Sequence, residues 1–422
     1  MLGIRRWLGL AFGIGAFLCA TQIRAQDQAF TDAFSLYKQG SIAEARKLLL
    51  DTVAHTPTAL DFSLLGSIEF QEMDFGPAEE HLKRALKMEP KLSGTRFTLA
   101  NLLETRGRTV EAKRELQQVI ANDPRHLEAM LMLARIETQD RQFTDATTLL
   151  GAARSVAPSD IRTLIGLARV RNLQGKPEAA LALLLKARTM SPSDPAVLYA
   201  LGVLCLQMDL FKDATENLAR AAELDPGNSA MQYALASARI ANRDFPAAIE
   251  IYRKLLKADP GNAQVNYALG ATYFLRGEND AAKLYFEQSI RLQPDQVESY
   301  YYLGLIAAQD GSAQNSIDLL QRVIQRQPDH ARAHIALGLE YRSLGRLQKA
   351  KDELETAVRL DPGSQKAHYQ LGLVLNALKK PDAAKAQLNV AGRLRARSED
   401  KVAWELVAPP FEASHEKGTN GN

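Results

Sequence analysis

Prolines stand at residues 90, 124, 158, 192, 226, 260, 294, 328 and 362, and the spacing between successive ones never changes. Pro57 precedes Pro90 by 33, one short of that spacing. A fixed period sustained over so many units requires one supersecondary unit repeated in tandem. Other residues hold the same register. Nine residues after the prolines stand Leu99, Leu133, Leu167, Leu201, Leu235, Leu269, Leu303, Leu337 and Leu371, and each is followed by glycine or alanine. Twelve residues before each proline comes a small residue, alanine everywhere except Ser316. Eight before comes a large apolar residue, such as Leu82, Leu218, Tyr252 or Phe286.

Each unit reads as a helical hairpin. The stretches on either side of every proline are apolar at helical spacing and about a dozen residues long. Gly40, Gly107, Gly175, Gly277, Gly311 and Gly345 interrupt them where a first helix should end. Proline with Gly or Asn, as in the Asp-Pro-Gly-Asn of residues 225–228 and 259–262, ends the second. The tiny residues let two backbones approach. No unit buries its apolar face alone, so neighbours must stack.

The 34-residue period, the Leu–Gly/Ala pair, the alanine of the second helix and the closing proline resemble the tetratricopeptide repeat family. The resemblance implies an all-α, right-handed α-solenoid of about eleven helix-turn-helix units over residues 26–398, the first at 26–58 and then one per period from 59. The first unit has Asp32 where the apolar stripe wants leucine, and the last has Ala396 in place of the proline. Terminal units are often atypical. Residues 399–422 then read as an extension that caps the last hairpin with Trp404 and Leu406, followed by a disordered tail.

Residues 1–25 differ in kind. Arg5 and Arg6 precede an uncharged apolar run from Leu8 to Ala20, and Ala25 closes the segment. That is the pattern of a secretory signal peptide cut after Ala25. The run falls short of the roughly 20 residues of a spanning helix. Leu18 stands before Cys19, where a bacterial lipoprotein signal wants a small residue. A periplasmic or extracellular location is therefore expected. The whole chain has 52 basic and 49 acidic residues. Arg5, Arg6 and Arg24 account for the excess, so charge gives no reason to expect nucleic acid as a partner. Cys205 would remain as the one cysteine, too few for an internal disulfide.

Candidates for chemistry are sparse. His330 and His334 lie one helical turn apart, a zinc-compatible spacing, but read as polar surface residues near a helix start. Cys205 falls on an inward face with no histidine nearby in sequence to activate it. No Gly-rich phosphate loop appears. Neither enzyme activity nor a cofactor is expected.

A surface is the remaining candidate. Positions seven, eleven and fourteen after the proline share a stripe of the first helix by i, i+4, i+7 spacing. In the family the first helices line a concave groove where partners bind, so the resemblance makes this stripe the lining. It divides in two. Asn101, Glu104, Arg135, Arg169 and Asn172 are polar, with Arg135 and Arg169 suited to acidic groups. Further along come Tyr199, Val203, Leu206, Tyr233, Ile240, Tyr267, Phe274, Tyr301, Leu305 and Leu339. The family usually places a polar residue at position eleven, which singles out Val203, Leu305 and Leu339 as an exposed apolar patch. The lysine and asparagine with which one subfamily clamps chaperone carboxylates are replaced by Phe30 and Phe34. The expected role is an exported scaffold that holds a segment of another protein. The alternative is a carbohydrate-binding subunit in polysaccharide export, with tyrosine faces stacked on sugar rings.

Overall fold

The computed structural model describes residues 28–55 and 57–394. The signal segment, the capping extension and the tail named above lie outside them. The described residues form 22 helices and no strands. They run as α1 (Gln28–Lys38), α2 (Ile42–His55), α3 (Ala59–Gln71), α4 (Phe75–Met88), α5 (Ser93–Thr105), α6 (Thr109–Asn122), α7 (Leu127–Gln139), α8 (Phe143–Val156), α9 (Ile161–Leu173) and α10 (Pro177–Met190). These make the first of two compact units, which ends at Pro192. The second unit starts at Ser193. It holds α11 (Pro195–Gln207), α12 (Phe211–Leu224), α13 (Ser229–Ala241), α14 (Phe245–Ala258), α15 (Ala263–Leu275), α16 (Asn279–Leu292), α17 (Val297–Gln309), α18 (Ala313–Arg326), α19 (Ala331–Ser343), α20 (Leu347–Leu360), α21 (Gln365–Ala377) and α22 (Pro381–Arg393). Odd-numbered helices are the first of a hairpin and even-numbered ones the second. The fold is an all-α solenoid of tandem hairpins. No helix among the described residues is long and apolar enough to cross a membrane.

The proline acts through its neighbours. The residue before it is pushed out of the helical region by the pyrrolidine ring. Asp123, Asp225 and Asp259 accordingly sit at φ −134, −133 and −139 with ψ between 73 and 89. That ends the second helix. Two residues after the proline comes the N-cap of the next first helix. Asp194, Asn228, Asn262 and Ser364 accept there from backbone N–H groups of the first turn. These residues are good caps because a short side-chain oxygen satisfies an amide that the helix leaves unpaired.

The turn within each hairpin needs a left-handed residue. Glycine supplies it at Gly107 and Gly345, with φ of 73 and 69. Met73, Arg141, Asp209, Arg243 and Lys379 adopt the same region with side chains, at φ between 58 and 65. The backbone then closes as a Schellman-type cap: Lys380 N–H donates to the Leu375 carbonyl at 2.9 Å and Arg108 N–H to that of Leu103 at 2.8 Å.

The two helices of a hairpin meet at the tiny residue. A Cβ on Gly202 would lie 2.4 Å from Leu218 Cγ, and one on Gly338 2.6 Å from Leu354 Cγ. On Gly270 it would lie 2.8 Å from the Phe286 ring. Leu218, Leu354 and Phe286 are fully buried. The residue eight before the proline thus fills the space that the tiny residue leaves, at close-packed density.

Left-handed strain at non-glycine sites predicts a gain on relief. Arg141→Gly and Lys379→Gly should each stabilise by about 0.5–1 kcal/mol, the left-handed penalty less the extra chain entropy of glycine. Gly338→Val should destabilise by about 1–3 kcal/mol through overpacking. Urea unfolding midpoints check both signs.

Candidate binding surface on the first helices

At position seven, Tyr233, Tyr267 and Tyr301 are interior, whereas Tyr199 is half-buried and Tyr369 is exposed. Tyr233 and Tyr267 are each 4% exposed and Tyr301 8%. Tyr233 meets Tyr252 of its own second helix edge-on at 5.2 Å, and its hydroxyl accepts from Gln264 of the next first helix at 3.2 Å. Tyr267 packs at 5.9 Å from Phe286 and 6.3 Å from Tyr302. Tyr301 touches Tyr302 and His330 at about 5 Å, with Arg332 over its ring at 5.1 Å. Burial pushes the Tyr233 phenol up to about 12 and raises Tyr267 and Tyr301 as well. The tyrosine ladder therefore does not line an open surface. Tyr233 and Tyr267 are each wedged between the second helix of their own hairpin and the first helix of the next, and Tyr301 meets the start of the next first helix. Leu206 and Ile240, at position fourteen, are also fully buried and join the core rather than the lining.

The stripe expected from spacing thus narrows to fewer residues. In the second unit Tyr199 and Val203 are half-buried against one core cluster, and Phe274, Leu305 and Leu339 against another. Ser237 and Ala271, at position eleven, are buried. In the first unit Arg135, Arg169 and Asn172 are half-buried. Arg135 is engaged by Glu104 of the preceding first helix and bonds Gln139 at 3.4 Å. Asn101 donates to its own helix, at the Phe97 carbonyl, 2.9 Å away. The polar part of the stripe therefore satisfies much of its own hydrogen bonding.

Position four, which the spacing argument passed over, is the other outward column. Arg162 grips Glu128 with two bonds of 2.8 and 2.9 Å, and Arg332 bonds Glu298 at 2.9 Å. Each pair spans one period. The sequence carried this signal as opposite charges at equal places in successive hairpins. On a turn edge of the first unit, Glu79 sits between Arg106, Arg108 and Lys83. Burial opposes its charge, but hydrogen bonds from Arg108 and Lys83 hold the carboxyl down at about 2.

His330 and His334 are buried, not the polar surface residues that their place near a helix start suggested, and His126 is half-buried. His126 and His330 cap helices by accepting from Ala129 and Ala333 N–H through Nδ1. His334 has Glu353 at 2.6 Å from Nδ1 and the Pro328 carbonyl at 3.0 Å from Nε2. Cys205 is buried on the inward face.

This packing has two measurable consequences. Tyr267→Ser should cost about 3–5 kcal/mol, the penalty for removing a buried aromatic ring, measured by urea unfolding. The two kinds of histidine should titrate apart. Burial works against charge on His334, but Glu353 and the Pro328 carbonyl raise its pKa. Its stabilisation is complete below the unfolded value of about 6.5 and is lost as pH rises through the folded pKa. Burial lowers His126, so its unfolded form takes up protons first and stability falls as pH drops below about 6.5. Ring NMR titration should place His334 above and His126 below that value.

Comparisons with known proteins bear on the same residues. Models of the tetratricopeptide repeat match residues 69–134, 103–169, 172–238, 239–304, 298–330 and 331–364. Among solved structures, the chain is similar to MamA, at 31% identity over 38% of this chain and 93% of that one, with a TM-score of 0.35. It is similar to a chain of the APC/C hetero-tetramer Cut9–Hcn1, at 17% identity over 91% and 83%, with a TM-score of 0.50. Yeast Tom70 matches at 14% identity over 93% and 96%, with a TM-score of 0.49. No curated protein sequence matches the chain.

Proposed function

The chain belongs to the tetratricopeptide repeat family, and on that premise we propose that it is an exported, non-enzymatic scaffold that holds a segment of a partner protein on its first helices. Repeats of this family act as protein–protein interaction scaffolds. The observation that carries the finer reading is the half-exposed apolar column of the second unit. Val203, Leu305 and Leu339 occupy position eleven and Phe274 position fourteen, and all are half-buried. Aliphatic side chains that stay partly in water on a regular helix face forgo burial free energy until another surface covers them. The tyrosines contribute by fixing the helices that carry this column. The rings of Tyr233 and Tyr267 pack against neighbouring aromatic rings, which favours the protein-segment reading over a carbohydrate one.

Export rests on the basic start, the apolar run and Ala25. The test is crosslinking and mass spectrometry on the cell-envelope fraction, with wild type beside a Leu305→Lys/Leu339→Lys chain of unchanged circular dichroism. Both residues are half-exposed, so the fold should persist. Loss of a pair of apolar anchors should weaken binding by about 2 kcal/mol or more, which is about thirtyfold or more in Kd. Identical crosslinked peptides from both proteins would sink the surface. Absence of the wild-type chain from both the envelope fraction and the medium would sink export.

A further inference from the structure

On the first helices, Glu104 engages Arg135, Glu128 and Asp160 hold Arg162, Asp244 meets Arg239 and Glu298 meets Arg332. Arg342 has no such acid. It is half-buried at position fourteen of α19, and its guanidinium donates to the neutral amide oxygen of Gln370 on α21. Lys366, at position four of α21, is exposed. Among the described residues neither cation makes an ion pair. The acids of the adjoining helices are taken up: Glu298 by Arg332 and His330, Glu353 by His334, Asp352 and Glu355 by Lys351. Glu340 follows Leu339 but lies about 100° round the helix from it. Its position is buried in the neighbouring first helices, as Ile306 and Val374.

These two cations flank the apolar column. Leu305, Leu339 and Leu373 hold position eleven of α17, α19 and α21 and are half-buried. By helical spacing Arg342 stands one turn beyond Leu339 on the same stripe, and Lys366 two turns before Leu373. On α11, α13 and α15 the stripe of positions four, seven, eleven and fourteen carries no charge. On α17, α19 and α21 it carries Glu298, Arg332, Arg342 and Lys366, and Glu298 is already bonded to Arg332. Arg342 and Lys366 are the excess. The column also has room. Position fourteen of one first helix meets position eight of the next, as Phe274 meets Tyr302 at 5.1 Å. One period later these places hold Ala308 and Ala336, three residues from Leu305 and Leu339. Ala308 is half-buried where Leu206 and Ile240 are fully buried.

We propose that the segment held on the second unit is both acidic and apolar: large apolar side chains cover Leu305, Leu339 and Leu373, and carboxylates pair with Arg342 and Lys366. This rests on the reading of the column as a partner surface and adds the charge of what covers it. Apolar cover dries the stripe, and an ion pair beside a dried surface is stronger than one in open water. A basic segment would set like charges against Arg342 and Lys366. Arg135, which its place on the stripe suited to acidic groups, already has Glu104, so recognition of acids passes to the second unit.

A phage-displayed library of random short peptides, selected on the purified full chain, reads both properties. Wild type should enrich peptides that combine Asp or Glu with Leu, Ile or Phe. Arg342→Gln/Lys366→Gln should lose the acidic preference and keep the apolar one. It should bind a synthetic peptide selected on wild type about threefold to tenfold more weakly. Arg342→Glu/Lys366→Glu should select basic apolar peptides instead. Both positions are at least partly exposed, so helical circular dichroism should be kept. Apolar enrichment without acids, or acidic enrichment that survives Arg342→Gln/Lys366→Gln, overturns this proposal and leaves the apolar surface standing. Apolar enrichment indifferent to Leu305→Lys/Leu339→Lys, or no enrichment at all, overturns both.

Discussion

The approach of the second helix to the backbone of the first, so near that a Cβ on Gly202 would stand 2.4 Å from Leu218 Cγ, sets the geometry on which the other contacts depend. It fixes how far apart the helices of a hairpin lie and which turn of one faces which turn of the other. With that contact repeated once per period, each first helix enters at an equivalent place and presents equivalent positions. The aligned columns of side chains follow from it. So does the burial of Tyr252 and Phe286, which fill the larger space where Ala236 or Gly270 faces an aromatic ring instead of leucine.

Helical spacing alone places positions seven, eleven and fourteen on one stripe, and that holds as an angular statement. It does not say how many neighbours the helix has. A first helix inside the array is covered by its own second helix, by the preceding hairpin and by the following first helix. Three contacts leave a narrow outward strip, and position seven falls under the third. Tyr267 shows the cost of ignoring that neighbour: Phe286 covers one side and Tyr302, from the next first helix, the other. The hairpins, their prolines and the tiny residues were legible because their partners lie within one period. The fate of the tyrosines depended on contacts between periods, and no single window of sequence contains them.

Charge follows the same division. Glu128 with Arg162 and Glu298 with Arg332 join adjacent first helices within their own units, each across one period. Exposed pairs of this kind contribute little to stability, about 0–1 kcal/mol. Each pair leaves both charges engaged across adjacent first helices. The three-way grip of Arg106, Arg108 and Lys83 on Glu79 does the same on a turn edge. A search for catalytic carboxylates meets many acidic residues, and these contacts show what they are engaged in.

Position eleven is where such a repeat can change chemistry without disturbing its fold. Position ten, and position seven in Tyr233, Tyr267 and Tyr301, are committed to packing. Position eleven carries half-buried Asn101, Arg135 and Arg169 in the first unit and half-buried Val203, Leu305, Leu339 and Leu373 in the second, where Ser237 and Ala271 at the same position are buried. The hairpin tolerates polar, cationic and aliphatic residues there because one side of the residue meets solvent. A polar column that satisfies itself, as Arg135 does with Glu104, can stay uncovered indefinitely. An aliphatic column cannot satisfy itself in that way, since nothing but apolar contact relieves its hydration. Among the described residues, the aliphatic members of position eleven that stay partly in water all belong to the second unit.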